Sequence, residues 1–123
     1  MNYAARLANG KTRKYDHITP VMSELQWLKI ENKINYDICL FTYKICNNML
    51  PDWLFSFPAN NDINTRNTRQ SSKLYVPRKK TDIGARAITI KGPRLWNTIP
   101  SALQSQPTLI TFKEKLRKYF LEF

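Results

Sequence analysis

Two cysteines, one histidine and singly scattered carboxylates are all the chain offers for nucleophilic, metal or acid–base chemistry. Cys39 and Cys46 fall seven apart in a stretch that reads as helix, which puts them on one face about 10 Å apart along the axis, beyond the reach of a disulfide within that helix. With His17 they make three Cys/His candidates without metal-type spacing, so no metal site is expected. Both cysteines lie on the face assigned to the core and read as buried free thiols, suited to a reducing compartment. Two-metal polymerase or nuclease chemistry needs converging carboxylates, whereas Asp16, Asp37, Asp52, Asp62 and Asp82 stand alone. His17 has no second imidazole with which to share acid and base roles, and beside Asp16 it reads as a hydrogen-bonded pair that tidies a connector. Gly10, Gly84 and Gly92 are isolated and build no phosphate loop. No catalytic residue, metal, cofactor or small-molecule substrate is therefore expected.

What remains is charge. Lys and Arg number 20 against 9 Asp and Glu, a formal net charge of +11 over 123 residues. Such a surplus favours a polyanionic partner, nucleic acid before an anionic membrane surface; the plainer alternative is the solvated surface of a fragment whose acidic counterpart lies elsewhere. The charge is concentrated: Arg66, Arg69, Lys73, Arg78, Lys79, Lys80, Arg86, Lys91 and Arg94 face only Asp82 between residues 66 and 94. Cations of this density can track phosphates while an interleaved aromatic stacks on a base. Tyr75 is the candidate stacking residue, and Arg66, Arg69, Lys73, Arg78, Lys79, Lys80, Arg86 and Arg94 are the candidate phosphate contacts. Trp96, flanked by Leu95 and Ile99 at helical spacing, reads as core.

The elements that would position these residues are mostly helical. YAARLA (3–8) reads as the end of a helix stopped by Asn9-Gly10, where glycine supplies a left-handed cap, followed by a basic connector. Thr19 and Pro20 read as N-cap and first position of a short helix. Ile30, Ile34, Ile38, Phe41, Ile45 and Met49 form an apolar stripe, widened by Cys39, Leu40 and Cys46, on a central helix of about twenty residues. Pro51 should end that helix, and PDWLFSF should add a turn carrying Trp53 and Phe57 inward. Residues 58–72 are polar and read as an exposed loop.

KLYVP (73–77) and ARAITI (85–90) alternate in β-prone fashion around the basic turn RKKTDIG, which predicts a small two-stranded antiparallel ribbon. Gly92-Pro93 should stop its second strand and start a helical turn with Pro93 at the first position. In IKGPRLWNTIPSALQ (90–104), Gly92, Pro93 and Pro100 set two changes of direction, and Arg94 and Asn97 are left for a ligand or for capping backbone groups. Thr111 with Glu114 reads as a capping box opening a last helix with Phe112, Leu116, Tyr119, Phe120 and Phe123 inward.

The expected fold is a single α+β domain over 1–123, predominantly helical: helix end and connector (1–14), helical core containing Trp27 (15–57), polar loop (58–72), basic β-ribbon (73–92) and proline-punctuated helices (93–123). The N-terminus MNYAARLANGKTRKYDH has no signal-peptide core, and no run approaches the about 18 apolar residues of a membrane span. An intracellular chain, nuclear or cytoplasmic and not secreted, is expected; PRKK (77–80) could act as a weak import signal.

RKYDHITPV (13–21), LQWLKIENKI (25–34), FTYKICNNMLPDWL (41–54), LYVPR (74–78), GARAITIKGPRLWNTIPSALQ (84–104) and TFKEKLRKYFL (111–121), taken in this order, strongly resemble the C-terminal region of non-LTR (LINE) retrotransposon reverse transcriptase polyproteins of the jockey-like and chicken-repeat-like kinds. The resemblance covers the chain from about residue 4 and lies in the order of the six blocks. It implies a parent RNA-directed DNA polymerase, usually with an N-terminal endonuclease, whose fingers, palm and metal-binding aspartates lie upstream. It also implies that YAARLA follows the polymerase domain, as part of a thumb or its junction. Lys29-Ile30 departs from the Pro-Val-like pair often found after Trp-Leu in the family, and Met1 begins inside helix-like sequence; both lead to the expectation of a truncated copy or a domesticated derivative. The partners expected are RNA or DNA and, in the alternative reading of a packing module, the upstream reverse transcriptase domain.

Overall fold

Apolar and aromatic side chains at helical spacing set the architecture of the computed structural model, which describes residues 2–10, 13–51, 53, 69, 73–78 and 80–122. Its elements are α1 (Asn2–Asn9), α2 (Thr19–Glu24), α3 (Ile30–Cys46), a 3-10 helix (Gly84–Arg86), α4 (Ile88–Thr98), α5 (Ser101–Gln104) and α6 (Leu109–Leu121). Helix dominates as expected, but the β-ribbon is absent: no strand occurs among the described residues.

The core forms where α3, α4 and α6 meet. Tyr43 and Phe112 are fully buried and stack with ring centroids 4.1 Å apart and planes 15° from parallel, while the Trp96 ring lies 6.3 Å from Tyr43 and 5.9 Å from Phe112. Leu28, Cys39, Ile99, Leu116 and Phe120 close around them. Aromatic groups of this size bring large buried areas together with a preference for offset or tilted contact. The Tyr43 hydroxyl donates to the Gln106 carbonyl at 2.7 Å, so its polar end is satisfied inside the core. A second cluster, Ala5, Val21 and Met22 with half-buried Ile18, Leu25 and Trp27, joins α1 to α2. Arg117 donates to the Gln26 carbonyl at 3.1 Å and Asn32 to the Phe120 carbonyl at 3.1 Å, tying α6 to the chain on both sides of Trp27.

The buried face of α3 matches the expected stripe only in part: Cys39 and Ile45 are buried as expected and Ile38 and Phe41 are half-buried. Cys39, Thr42, Tyr43 and Ile45 are its buried residues, whereas Ile30 and Ile34 remain 56% and 48% exposed and Met49, beyond the helix, is exposed as well. Two apolar faces compete on this helix, and the one carrying Tyr43 wins because it alone meets the rings of Trp96 and Phe112. Cys39 is buried as expected, but Cys46 is on the surface; both are free.

Two further helix ends depart from expectation. α3 stops at Cys46, ahead of Pro51, because Asn48 turns left-handed (φ 55°) and lets Asn48 N–H donate to Ile45 O at 3.2 Å and Met49 N–H to Lys44 O at 2.9 Å. That paired arrangement satisfies the last carbonyls without a proline. The same motif closes α2, with Gln26 left-handed (φ 53°), Gln26 N–H on Ser23 O and Trp27 N–H on Met22 O. At the start of α2, Ile18 already has helical angles and takes the cap position, so Thr19 is inside the helix and Pro20 follows in its first turn. Gly10 does close α1 as expected, with φ 67° and its N–H on Arg6 O.

The segment expected as a second strand is helix from Ile88. Ala87 is extended and its carbonyl accepts from both Ile90 N–H and Lys91 N–H, so α4 is already hydrogen-bonded before Gly92-Pro93. Pro93 therefore sits inside the helix rather than at its start. An interior proline forfeits a hydrogen bond and crowds the preceding residue; here that residue is Gly92, which has no Cβ to clash, and Pro93 is fully buried. α4 ends at Thr98, where Gln104 Nε2 donates to the Trp96 and Ile99 carbonyls, and Pro100 takes the cap position of α5.

Thr108, one turn before the expected capping box, caps α6: its Oγ1 accepts from Thr111 N–H at 3.3 Å. Two threonines three residues apart offer two registers, and burial of Phe112, Leu116 and Phe120 selects the earlier one. Thr108→Ala is expected to lower stability by about 0.5–2 kcal/mol, while Glu114→Ala changes it by less than about 0.5 kcal/mol; chemical denaturation of the two variants measures both. Trp53 is 82% exposed and not inward, and Phe57 and Phe123 lie outside the described residues.

Candidate nucleic-acid interface

The basic stretch is organised by one side chain. Asn97, in the last turn of α4, uses both ends of its amide on one residue: Oδ1 accepts from Leu74 N–H at 3.0 Å and Nδ2 donates to Leu74 O at 2.9 Å. The amide thus holds both backbone groups of Leu74, which carries an isolated bridge and belongs to no strand. Apart from the isolated bridge at Leu74, the main chain from Lys73 to Arg78 is irregular, and it is pinned at Leu74 against a helix whose own position is set by Trp96 in the core. Asn97 is therefore a clamp and not a free ligand-binding group.

Lys73, Arg78, Lys80, Arg86 and Arg94 are all exposed, as is Arg69. Arg94 lies three residues before Asn97 and shares its face of α4, next to the turn that holds Leu74. Lys80 and Arg86 flank a turn fixed by Thr81, whose Oγ1 accepts from Gly84 N–H at 3.1 Å and whose carbonyl accepts from Ala85 N–H at 3.2 Å. The 3-10 helix that Arg86 ends packs on α4. Lys73 and Arg94 thus flank the Asn97–Leu74 contact, and Lys80 and Arg86 flank the Thr81 turn, whose 3-10 helix packs on α4 as well. Arg66 and Lys79 lie outside the described residues. Tyr75 is half-buried and Lys91 half-buried, so Tyr75 presents less of its ring than a free stacking platform would.

Electrostatically these groups are uncompensated. The one ion pair among the described residues is Lys33–Asp37 at 2.6 Å, within α3. Exposed cations without carboxylate partners raise the local potential and attract polyanions.

Elsewhere the chemistry is sparse. Burial pushes the Cys39 thiol up to about 12, leaving it protonated and a poor nucleophile at neutral pH; partial desolvation also raises Cys46. The Asp16 carboxylate accepts from Arg13 N–H at 2.9 Å, so its ordering role is toward the backbone and not the expected pair with His17. No group of three or more metal-ligating side chains occurs among the described residues, and no helix there is long and apolar enough to cross a membrane.

Charge density marks the cations in the sequence, but the Asn97 clamp and the Gln104 cap leave little trace there. The one available signal is an asparagine inside a helix, a position where it is disfavoured unless its amide has work elsewhere. The fold and the site define a small helical chain that presents a supported cationic surface. No family model matches it, and no match is found among curated proteins or solved structures.

Proposed function

We propose that this chain is the non-catalytic C-terminal module of a retrotransposon-derived RNA-directed DNA polymerase, acting inside the cell, and that it grips template RNA or target DNA through Lys73, Arg78, Lys80, Arg86 and Arg94. The carrying observation is the clamp of Asn97 on Leu74, which fixes the backbone next to the exposed cations Lys73 and Arg94. The order of the six sequence blocks supports the retrotransposon origin. Phosphate contacts made this way release counterions, so affinity falls steeply with salt.

Titration of RNA or DNA across a salt series tests the reading. If these five cations each engage a phosphate, log affinity falls against log salt with a slope of about −3.5 on single strands and about −4.5 on duplex. Replacing Arg78, Lys80 and Arg94 with Ala makes the slope shallower by about 2–3. A wild-type slope near zero would sink the proposal.

A second reading, a packing module that braces the upstream polymerase domain, is favoured by a cavity of about 790 Å³ beside Trp27, lined by Met22, Leu28, Ile30, Phe120 and Leu121 among others. Grooves of this size and apolar character commonly receive a partner's side chains. Mixing the chain with the separately expressed upstream domain should then yield a complex on gel filtration; two separate peaks would exclude it.

A further inference from the structure

Residues 13–16, between α1 and α2, form a hydrogen-bonded turn that displays an aromatic ring. Arg6 on α1 reaches across the turn with both terminal guanidinium nitrogens, donating to the Arg13 carbonyl and, at 2.7 Å, to the Asp16 carbonyl. Asp16 Oδ2 accepts from Arg13 N–H at 2.9 Å, and Asp16 N–H donates to Arg13 O at 3.2 Å. Four hydrogen bonds thus close residues 13–16 into a fixed turn. At its tip Tyr15 is 90% exposed, and the Lys14 ammonium lies 5.7 Å from its ring centroid. Arg13, Lys14 and His17 are also exposed.

Single exposed aromatics are ordinary on protein surfaces. This one differs because four hydrogen bonds tie its backbone and its neighbours are cations. A tyrosine left in water on a mobile loop would lose conformational freedom when a ligand stacked on it; a pinned loop has lost most of that freedom already. With Lys14 over one face, the opposite face of the ring is open. Aromatic rings flanked by cations are the common device for holding unpaired bases, whose π-faces stack while their phosphates meet the charges.

We infer that the Arg13–Asp16 turn is a second nucleic-acid contact, in which Tyr15 stacks on an unpaired base and Arg13 and Lys14 meet the flanking phosphates. Arg6 and Asp16 are positioning residues for that contact. The inference rests on the nucleic-acid reading but uses none of the residues around Asn97. Duplex DNA, whose bases are already stacked on one another, gains nothing from Tyr15.

The test uses the full chain, a short single-stranded oligouridine and a duplex of matched charge. Tyr15→Ala should weaken single-strand binding by about 5- to 150-fold, the range for loss of one stacked base, without changing the salt slope or duplex binding. Tyr15→Phe keeps the ring and should bind as the wild type does. Arg6→Lys keeps the charge but loses the two-carbonyl fork, and should weaken single-strand binding several-fold at an unchanged slope. Irradiation of an oligonucleotide carrying 5-iodouracil should give an adduct on Tyr15. An unaltered affinity in Tyr15→Ala, an equal loss in Tyr15→Phe, or adducts only elsewhere would each overturn the inference. A steep wild-type slope with a silent Tyr15→Ala would overturn this contact and leave the surface around Asn97 standing; a flat slope would remove that surface.

Discussion

Phe112→Ala should lower the free energy of unfolding by about 3–5 kcal/mol, a large part of the about 5–15 kcal/mol that ordinary domains possess. Phe112 is fully buried, stacked on Tyr43 and tilted against Trp96, so truncation leaves a cavity bounded by three helices at once. Rings at such a junction cannot be replaced by a small inward shift of one neighbour, because each neighbour is fixed by the other two. Two comparisons sharpen the test. Tyr43→Phe keeps the stack and loses only the bond to the Gln106 carbonyl, at a cost of about 0.5–1.5 kcal/mol. Ile34→Ala, on the half-exposed face of α3, should change stability by no more than about 0.5–1 kcal/mol. Denaturant midpoints at unchanged slope measure all three. An Ile34→Ala loss equal to that of Phe112→Ala would mean that α3 turns its isoleucine stripe inward.

That last comparison marks where the sequence stopped being legible. The helical character of the chain, the end of α1 at Gly10, the burial of Trp96 and the inward positions Phe112, Leu116 and Phe120 can all be read from spacing, because each belongs to a segment with one apolar face. α3 has two. Hydropathy ranks Ile30, Ile34 and Ile38 above Tyr36, Thr42 and Tyr43, yet Tyr43 is chosen by ring partners more than fifty residues away, which no local pattern encodes. The ribbon fails for a related reason: Ile88, Thr89 and Ile90 are β-branched and prefer strands locally, but a helix from Ile88 to Thr98 is what buries Ile90, Pro93 and Trp96 on an element packed against α3. Tertiary burial overrides propensity. The cations of the candidate surface are visible as composition, whereas the amide bridge from residue 97 to residue 74 joins two segments with opposite local preferences and is visible only in three dimensions.

Asn97→Ala is expected to separate position from charge at the candidate surface. It removes two hydrogen bonds to a half-buried backbone unit, which at about 0.5–1.5 kcal/mol each lowers stability by about 1–3 kcal/mol in all. Leu74 N–H and C=O can recover part of this from water if the segment lifts, so the loss appears locally: Leu74 N–H, which should exchange slowly in the wild type while it donates to Asn97, should become one of the faster amides. Every cation is still present in the variant, and the number of phosphates neutralised in the complex should be the same. The salt slope therefore stays as steep as in the wild type. Affinity nevertheless falls, since residues 73–78 must now be ordered on binding at about 1–2 kcal/mol of backbone entropy per residue fixed, partly offset by renewed contacts. Asn97→Asp gives the internal check. Its carboxylate can still accept from Leu74 N–H but faces the Leu74 carbonyl without a donor, so it should protect Leu74 less than Asn97 does and bind nucleic acid no better than Asn97→Ala. A parallel shift of the binding line in both variants would identify Asn97 as the residue that converts a run of cations into a surface. A flattened slope would instead make the charges dependent on the clamp for contact at all, and unchanged binding would detach the clamp from nucleic-acid recognition.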